Sequence, residues 1–189
     1  MGTNLTISAS VFRTPFADSE GNPSTNVSAF ADVLDYIAIM NYDVWGNWFS
    51  AVGPNAPLND SCAESSEQQG SAVSAVIAWT DAGIPADQIV LGVPAYGRSY
   101  SVAPSDAFET GTKTLAAYPA FNKSNQPLGD KWDDTGSVDA CGNYTAPGGT
   151  FRFWGLVDGG FLDTDGTSAE GIYYRYDSCS ETVCKPRQE

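Results

Sequence analysis

The chain has 189 residues and a formal net charge of −14, from 23 acidic and 9 basic residues. This acidic balance disfavours nucleic acid and anionic membranes as partners, whereas a neutral ligand is compatible with it. The sequence contains no histidine, which excludes Ser-His-Asp and Cys-His catalysis and most zinc sites, and we expect neither a metal nor another cofactor. A hydrophobic content of 42% and an aromatic content of 12% are typical of a globular protein.

Cysteines and glycosylation sequons predict an oxidising, secretory environment. The even number of cysteines predicts disulfides, and three pairings are possible among Cys62, Cys141, Cys179 and Cys184. Asn-x-Ser/Thr sequons, which predict a glycoprotein, begin at Asn4, Asn26, Asn59, Asn122 and Asn143. No signal-peptide core follows Met1, and no apolar run is long enough to span a membrane. We therefore predict a secreted, extracellular protein whose signal peptide is absent from this chain.

Local patterns predict three strands in the first half of the chain. Alternation of apolar and polar residues predicts a strand over 5–11. Nearly continuous apolar runs predict buried strands over 36–40 and 89–93. A strand, a helix and a strand in this order form a parallel crossover.

Two helices are predicted between these strands. Asn26 or Ser28 is expected to cap a short helix that runs to Leu34. A capping-box pattern at 65–68 predicts the start of a longer helix with one apolar face, which Gly83 ends. From residue 101 onward, helical periodicity disappears, and Gly, Pro, Asp and Lys are interspersed with aromatic residues.

Polar and aromatic side chains follow the strand at 36–40 directly. With a period of two residues, Met40 and Tyr42 lie on one face of that strand, and Asp43 falls where the strand ends. Trp45 and Trp48 come next. Because barrel enzymes place their sites at the carboxyl ends of buried parallel strands, we interpret this stretch as the candidate site.

The same stretch resembles a known family. Met-x-Tyr-Asp at 40–43 with Val-Trp-Gly at 44–46 resembles the sixth-strand signature of family 18 glycoside hydrolases, the chitinases and chitinase-like lectins. Residues 52–58 resemble the fungal branch. The run at 88–94 with Tyr-Gly-Arg at 96–98 resembles the seventh strand. Further segments that resemble the family's insertion domain and its exit lie at 129–134, 155–162 and 176–182.

The resemblance implies an α/β fold: a partial (β/α)8 TIM barrel, about strands five to seven, with a small α+β insertion domain. The implied organisation is a partial barrel over 1–100, the insertion domain over 101–176 and an exit segment over 177–189. That segment leads towards an eighth strand that is missing, and the first four strands are also expected to be absent.

The resemblance also implies a chemistry. Most glycosidases use two protein carboxylates, but this family uses the substrate's own acetamido oxygen as the nucleophile and one glutamic acid as the proton donor. By resemblance, Tyr42 and Asp43 hold and polarise the acetamido group, and Met40 shapes the pocket wall. The remaining residues expected to bind substrate, by lining the cleft or stacking on sugars, are Trp45, Trp48, Tyr96 and Arg98.

The proton donor of the family is carried by the pattern Asp-x-x-Asp-x-Asp-x-Glu, which this sequence lacks. The nearest acidic cluster, from Asp158 to Glu170, has the wrong spacing. We therefore expect a chitinase fragment that is inactive alone, with chitin or N-acetylchitooligosaccharides and the missing barrel half as candidate partners. The alternative is a non-catalytic, lectin-like module that binds chitooligosaccharides, and a more remote one is an unrelated secreted interaction domain.

Several of these residues also have structural interpretations. Met40 fits core packing, Tyr42 with Asp43 fits a turn at a strand end, and Arg98 fits a surface ion pair. Trp132 and Trp154 are expected to pack a small core.

The acidic run at 163–166 fails the calcium-loop pattern and is interpreted as an Asp-Gly turn.

Overall fold

The structure, a computed structural model, describes residues 5–185. The chain divides into two compact units. Unit 1 consists of the residues up to 44 together with 56–94 and 178–181. Unit 2 consists of 45–55, 95–177 and the residues from 182 onward.

Unit 1 is built on a three-stranded parallel sheet, as the sequence predicts. Its strands are β1 (Ser8–Val11), β2 (Tyr36–Met40) and β3 (Ile89–Gly92), with β2 in the centre. Both pairings are parallel. β1 is shorter than the predicted 5–11, and β3 ends one residue earlier than predicted.

The helix of unit 1, α1, spans Ala72–Asp81 and begins later than predicted. Residues 65–67 form only a short 3-10 turn, after which Gln68 is not helical and Gly70 has a φ of +97°. The capping box is formed instead by Ser71 and Ser74, which exchange side-chain and backbone hydrogen bonds. Gly83, with a φ of +101°, follows the end of the helix as predicted.

One face of the sheet and α1 enclose the core of unit 1. Ile37 and Ile39 of β2 point into it, and Trp79 of α1 is fully buried there. The indole nitrogen of Trp79 donates a hydrogen bond to the carbonyl of Phe12, just beyond β1. The other members of this cluster are Val11, Val27, Ala75, Ala82 and Ile84.

The opposite face of the sheet is not covered in the same way, and we call it the open face. By strand alternation and register it carries Ala38 and Met40 of β2, which are half-buried. Val90 of β3 is 49% exposed on this face, and Ser8 and Ser10 of β1 are also exposed.

The predicted short helix after residue 26 is a 3-10 turn over Ser28–Phe30, and no side chain caps it. Asn26 instead accepts hydrogen bonds from the backbone and hydroxyl groups of Ser28. The α-helix predicted up to Leu34 therefore does not form, and the segment makes a single 3-10 turn.

A single disulfide joins distant parts of unit 1. It links Cys62 to Cys179, which are 117 residues apart in the sequence. Cys141 and Cys184 are free and exposed. The prediction of a disulfide is thus confirmed for one pair of cysteines, and the other two carry thiols.

As far as residue 185, unit 2 consists of short antiparallel strand pairs and one short helix. The pairs join β4 (Tyr96–Arg98) to β7 (Thr150–Arg152), β5 (Ser137–Val138) to β6 (Tyr144–Thr145), and β8 (Arg175–Asp177) to β9 (Thr182–Cys184). Helix α2 spans Phe153–Asp158. Unit 1 is therefore α/β and unit 2 is α+β. The partial barrel remains a prediction, because the described residues contain only two α-helices, one three-stranded parallel sheet and three antiparallel strand pairs.

Two tryptophans of unit 2 do not pack a small core, contrary to the sequence interpretation. Trp132 and Trp154 are each 67% exposed. Trp132 lies in the tight turn after Asp130, and Trp154 lies in the six-residue helix α2, where its ring contacts Phe153 with ring centroids 5.4 Å apart. Within residues 5–185, no helix is both long and apolar enough to cross a bilayer.

Candidate functional site

The candidate site in unit 1 begins where β2 ends. Asn41 is buried, and its amide nitrogen donates to the carbonyl of Pro57 at 3.2 Å, which fixes the chain as it leaves the sheet. Two residues later, Asp43 has a φ of +55°. This left-handed conformation is uncommon for a residue with a side chain, although Asp tolerates it better than most. The turn sets the directions of Tyr42 and Asp43.

Tyr42 lies beside β3. A Cβ atom built on Gly92 would be 3.2 Å from Cε1 of the tyrosine ring. Because Gly92 is paired with Met40, such a Cβ would share the face of Met40. This contact agrees with the period-two prediction that Met40 and Tyr42 occupy one side of the sheet. Met40 itself is half-buried on the open face rather than in the core.

Arg13, which follows β1, also reaches this strand end. Its Nη1 donates to the carbonyl oxygen of Tyr42 at 3.4 Å. Burial lowers the pKa of the Arg13 guanidinium, and the charges of Asp43 and Asp60 partly offset that change. No sequence motif marks Arg13, because its role depends on the parallel pairing of β1 with β2.

The candidate residues of unit 2 surround one guanidinium group. Tyr96 and Arg98 are alternate residues of β4, so both side chains leave the same face of the strand. The guanidinium carbon of Arg98 lies 5.5 Å from the ring centroid of Trp48 and 5.9 Å from that of Tyr96. These distances are within the range of cation–π interaction.

The two candidate tryptophans differ in their surroundings. Trp48 is 52% exposed, and its carbonyl accepts a hydrogen bond from Lys123 at 3.3 Å. Trp45 is only 5% exposed and packs against Phe49 and Tyr118, with ring centroids 4.4 and 5.3 Å away. The expectation that Trp45 offers an open face to a sugar is therefore corrected, because protein side chains cover its indole.

The predicted site residues thus form two groups in separate units. Met40, Tyr42 and Asp43 belong to unit 1, whereas Trp48, Tyr96 and Arg98 belong to unit 2.

The acidic run at 163–166 forms a turn closed by a hydrogen bond from Gly166 to Asp163. Thr167 donates its backbone and hydroxyl groups to Asp165, and these bonds lower the pKa of that carboxyl. This geometry agrees with the turn interpretation.

A parallel sheet with polar and aromatic residues beyond its strand ends defines an α/β protein of the kind that places ligands at that edge. Residues 2–168 match the model of the glycosyl hydrolases family 18, and the chain belongs to that family.

Known proteins resemble the chain over nearly its whole length. It is 58% identical to a chitinase-like effector of Moniliophthora roreri, over 95% of this chain and 44% of the relative. It is 51% identical to a chitinase-like effector of Moniliophthora perniciosa, over 100% of this chain and 43% of the relative. The crystal structure of a chitinase from Rhizomucor miehei shares its fold with a TM-score of 0.79 and 31% identity, over 97% of this chain and 47% of that one. The chain therefore spans less than half the length of these proteins.

Proposed function

We propose that this chain binds oligomers of β-1,4-linked N-acetylglucosamine as part of the substrate cleft of a family 18 protein. The observation that carries the proposal is the turn at the end of β2. There Asp43 adopts a φ of +55° and the ring of Tyr42 lies beside Gly92, at the strand edge where such proteins place ligands.

The chemistry of the pair suits an acetamido group. The phenol of Tyr42 donates a hydrogen bond to the acetamido carbonyl oxygen, and the carboxylate of Asp43 accepts one from the acetamido N–H. In the substrate-assisted hydrolysis that we propose for the complete cleft, these two hydrogen bonds align the acetamido carbonyl oxygen for attack on the anomeric carbon. Met40 shapes the wall beside the tyrosine.

The unit 2 group supplies an aromatic surface. The half-exposed indole of Trp48, which lies beside the Arg98 guanidinium, offers apolar surface to a pyranose ring, and Arg98 and Tyr96 provide polar groups for its hydroxyls. Trp45 is buried against Phe49 and Tyr118, so we do not assign it a contact with the sugar.

The wider organisation is also part of the proposal. We assign residues 1–100 to a partial TIM barrel, 101–176 to the insertion domain and 177–189 to its exit. The Cys62–Cys179 disulfide favours secretion through an oxidising compartment. Exposed sequon residues at Asn26, Asn122 and Asn143 are compatible with glycosylation there.

Binding is tested by comparing N-acetylated with deacetylated oligosaccharides in ligand-observed NMR. Because the chain supplies only part of the cleft, affinity is expected to be about millimolar, or about −4 kcal/mol. The acetylated sugars should bind better, and Tyr42→Phe should reduce that preference. Tyr174→Phe is a matched control, since Tyr174 lies outside both groups and is 61% exposed. Equal binding of both sugars by the unmodified chain would contradict the proposal.

Hydrolysis by this chain alone is not expected. A positioned acid contributes about 10²–10⁴-fold to such reactions, and the sequence lacks both the family's acid pattern and histidine. The assay is release of a chromophore from an N-acetylchitooligosaccharide by the purified chain. Turnover that disappears in Tyr42→Phe would show that the chain is a complete catalyst. Binding without turnover agrees with both a fragment and a lectin-like module.

A further inference from the structure

We infer that Arg13 is a positioning residue that holds the Tyr42–Asp43 peptide in its binding conformation. The inference rests on the proposed function, which makes this conformation the one that binds the sugar. Arg13 lies 29 positions earlier in the chain than Tyr42. All the groups involved belong to unit 1.

The hydrogen bond of Arg13 acts on one peptide group. Its Nη1 donates to the carbonyl of Tyr42, and that carbonyl belongs to the peptide plane that links Tyr42 to Asp43. The orientation of this plane determines ψ of Tyr42 and φ of Asp43 together, because the peptide unit rotates as one body. Holding the carbonyl therefore stabilises the left-handed conformation of Asp43, which its Cβ otherwise disfavours.

Two carboxylates act electrostatically on the guanidinium. Asp43 and Asp60 both act on Arg13 through their negative charges, and the arginine is half-buried between the strand end and the loop that carries Asp60. The carboxylate of Asp60 also accepts a hydrogen bond from the backbone of Gly70 at 2.8 Å. Arg13 thus links the candidate sugar-binding turn to a loop that is itself held by the hydrogen bond between Gly70 and Asp60.

The loop that carries Asp60 leaves room for the side chain of Arg13 at Gly70. A Cβ atom built on Gly70 would be 3.2 Å from Nε of Arg13, and Gly70 has a φ of +97°. A side chain at position 70 would therefore be strained and would crowd the guanidinium. Cys62, in the same loop, is fixed by its disulfide to Cys179. The loop beside Arg13 is therefore held by a disulfide at Cys62 and by the hydrogen bond between Asp60 and Gly70.

A planar guanidinium suits this position. It provides several N–H donors in one plane, so it can donate to a carbonyl while its charge remains close to two carboxylates. A lysine keeps the charge but loses this fork. We therefore expect Arg13→Lys to retain part of the effect and Arg13→Gln to retain less.

The experiment combines backbone NMR of the labelled chain with sugar titration. In Arg13→Gln, the amide signals of Tyr42 and Asp43 should shift, and the preference for acetylated over deacetylated oligosaccharides should fall about tenfold, as expected for losing a charge-assisted hydrogen bond. Arg175→Gln is the matched control, because Arg175 donates to the carbonyl of Leu115 in unit 2. It removes the same charge and should leave both readouts unchanged.

The outcomes separate the inference from the proposed function. If Arg13→Gln leaves the Tyr42 and Asp43 signals unchanged, Arg13 is not a positioning residue, whatever the sugar titration shows. If the signals shift and the sugar preference survives, the inferred role in binding is wrong. If the unmodified chain shows no preference, the proposed function fails, and with it the inferred role of Arg13 in binding. Partial rescue of both readouts by Arg13→Lys supports the inference over general loss of stability.

Discussion

The ring of Tyr42 lies against the backbone of Gly92, in space that a side chain would fill. A Cβ atom at position 92 would be 3.2 Å from Cε1 of Tyr42 and 2.8 Å from the carbonyl oxygen of Ile39. The carbonyl belongs to the central strand, so it has little freedom to move. The absence of a side chain at Gly92 therefore lets a central strand, an edge strand and an aromatic ring meet at one point.

Gly92→Ala should destabilise unit 1 and displace the Tyr42 ring. Overpacking of this kind costs about 1–3 kcal/mol, which exceeds the small entropic gain of replacing a glycine. Urea unfolding followed by the backbone amide NMR signals of unit 1 measures the change. Gly97→Ala is the control, because a Cβ at Gly97 would have no atom within 4 Å. Equal stability of the two variants would contradict this packing.

The sequence predicted the parts of the fold that depend on neighbouring residues. The apolar run at 36–40 became β2 with the predicted bounds, since every other residue has a core position to occupy. The predicted start of α1 is several residues too early, because serines near both 65 and 71 match the pattern of a helix N-cap. The choice between them depends on Gly70, whose positive φ separates the two candidates.

Features that depend on tertiary contacts were not predictable in the same way. Trp45 and Trp48 look equivalent in the sequence, yet one is buried and the other is open, because only Trp45 meets Phe49 and Tyr118 at close range. The disulfide pairing could not be predicted either, because it depends on two cysteines 117 positions apart in the sequence coming together. Arg13 carries no motif at all.

The disulfide should make a measurable contribution to stability. A covalent link across a long loop restricts the unfolded chain, and removing it costs about 2–5 kcal/mol. Cys62→Ser combined with Cys179→Ser should lower the free energy of unfolding by that amount. The control combines Cys141→Ser with Cys184→Ser, and it should unfold like the parent chain because both thiols are exposed.

Thiol counting gives an independent check on the same pairing. The folded, unreduced chain should react with two equivalents of a thiol reagent, and the reduced, unfolded chain with four. Four reactive thiols before reduction would show that the Cys62–Cys179 bond is absent.

Asp130 should make unit 2 sensitive to acid. Its carboxylate accepts hydrogen bonds from the backbone of Arg152 at 2.7 Å and of Trp132 at 2.8 Å, and Arg152 also approaches it with its guanidinium. The backbone bond from Arg152 is the main cause that lowers the pKa of Asp130. The carboxylate therefore stabilises the fold above its unfolded pKa of about 4, and this contribution is lost as pH falls through the lower folded value.

Asp130→Asn should lower the melting temperature at neutral pH and flatten its decline in acid. The measurement is a series of thermal melts between neutral and acidic pH. Asp158→Asn is the control, because Asp158 pairs with Lys131 at an exposed position and such pairs contribute little. A melting temperature that declines in acid as steeply in Asp130→Asn as in the parent chain would exclude Asp130 as the source.

Trp48 should contribute to sugar binding without contributing much to stability. Its indole is half exposed and contacts Arg98, so Trp48→Ala removes apolar surface that is available to a ligand. We expect affinity for N-acetylated oligosaccharides to fall about fivefold, equivalent to about 1 kcal/mol. Trp154→Ala removes another exposed indole of unit 2 as the control. An equal loss of affinity in both variants would contradict a specific role for Trp48.

The open face of the sheet should drive association between copies of the chain. Val90 is 49% exposed there, and it is paired with Ala38 of the central strand, so apolar side chains of adjacent strands share one partly exposed surface. Contiguous apolar surface of this kind mediates protein contacts. Val90→Lys should shift sedimentation towards the monomer at concentrations where the parent chain associates, without lowering the free energy of unfolding. Val73→Lys is the control, because Val73 is exposed on α1 and lies outside the open face. A parent chain that sediments as a monomer at all concentrations, or equal effects of the two lysines, would show that the open face does not bind a partner of this kind, and would count against the partial barrel.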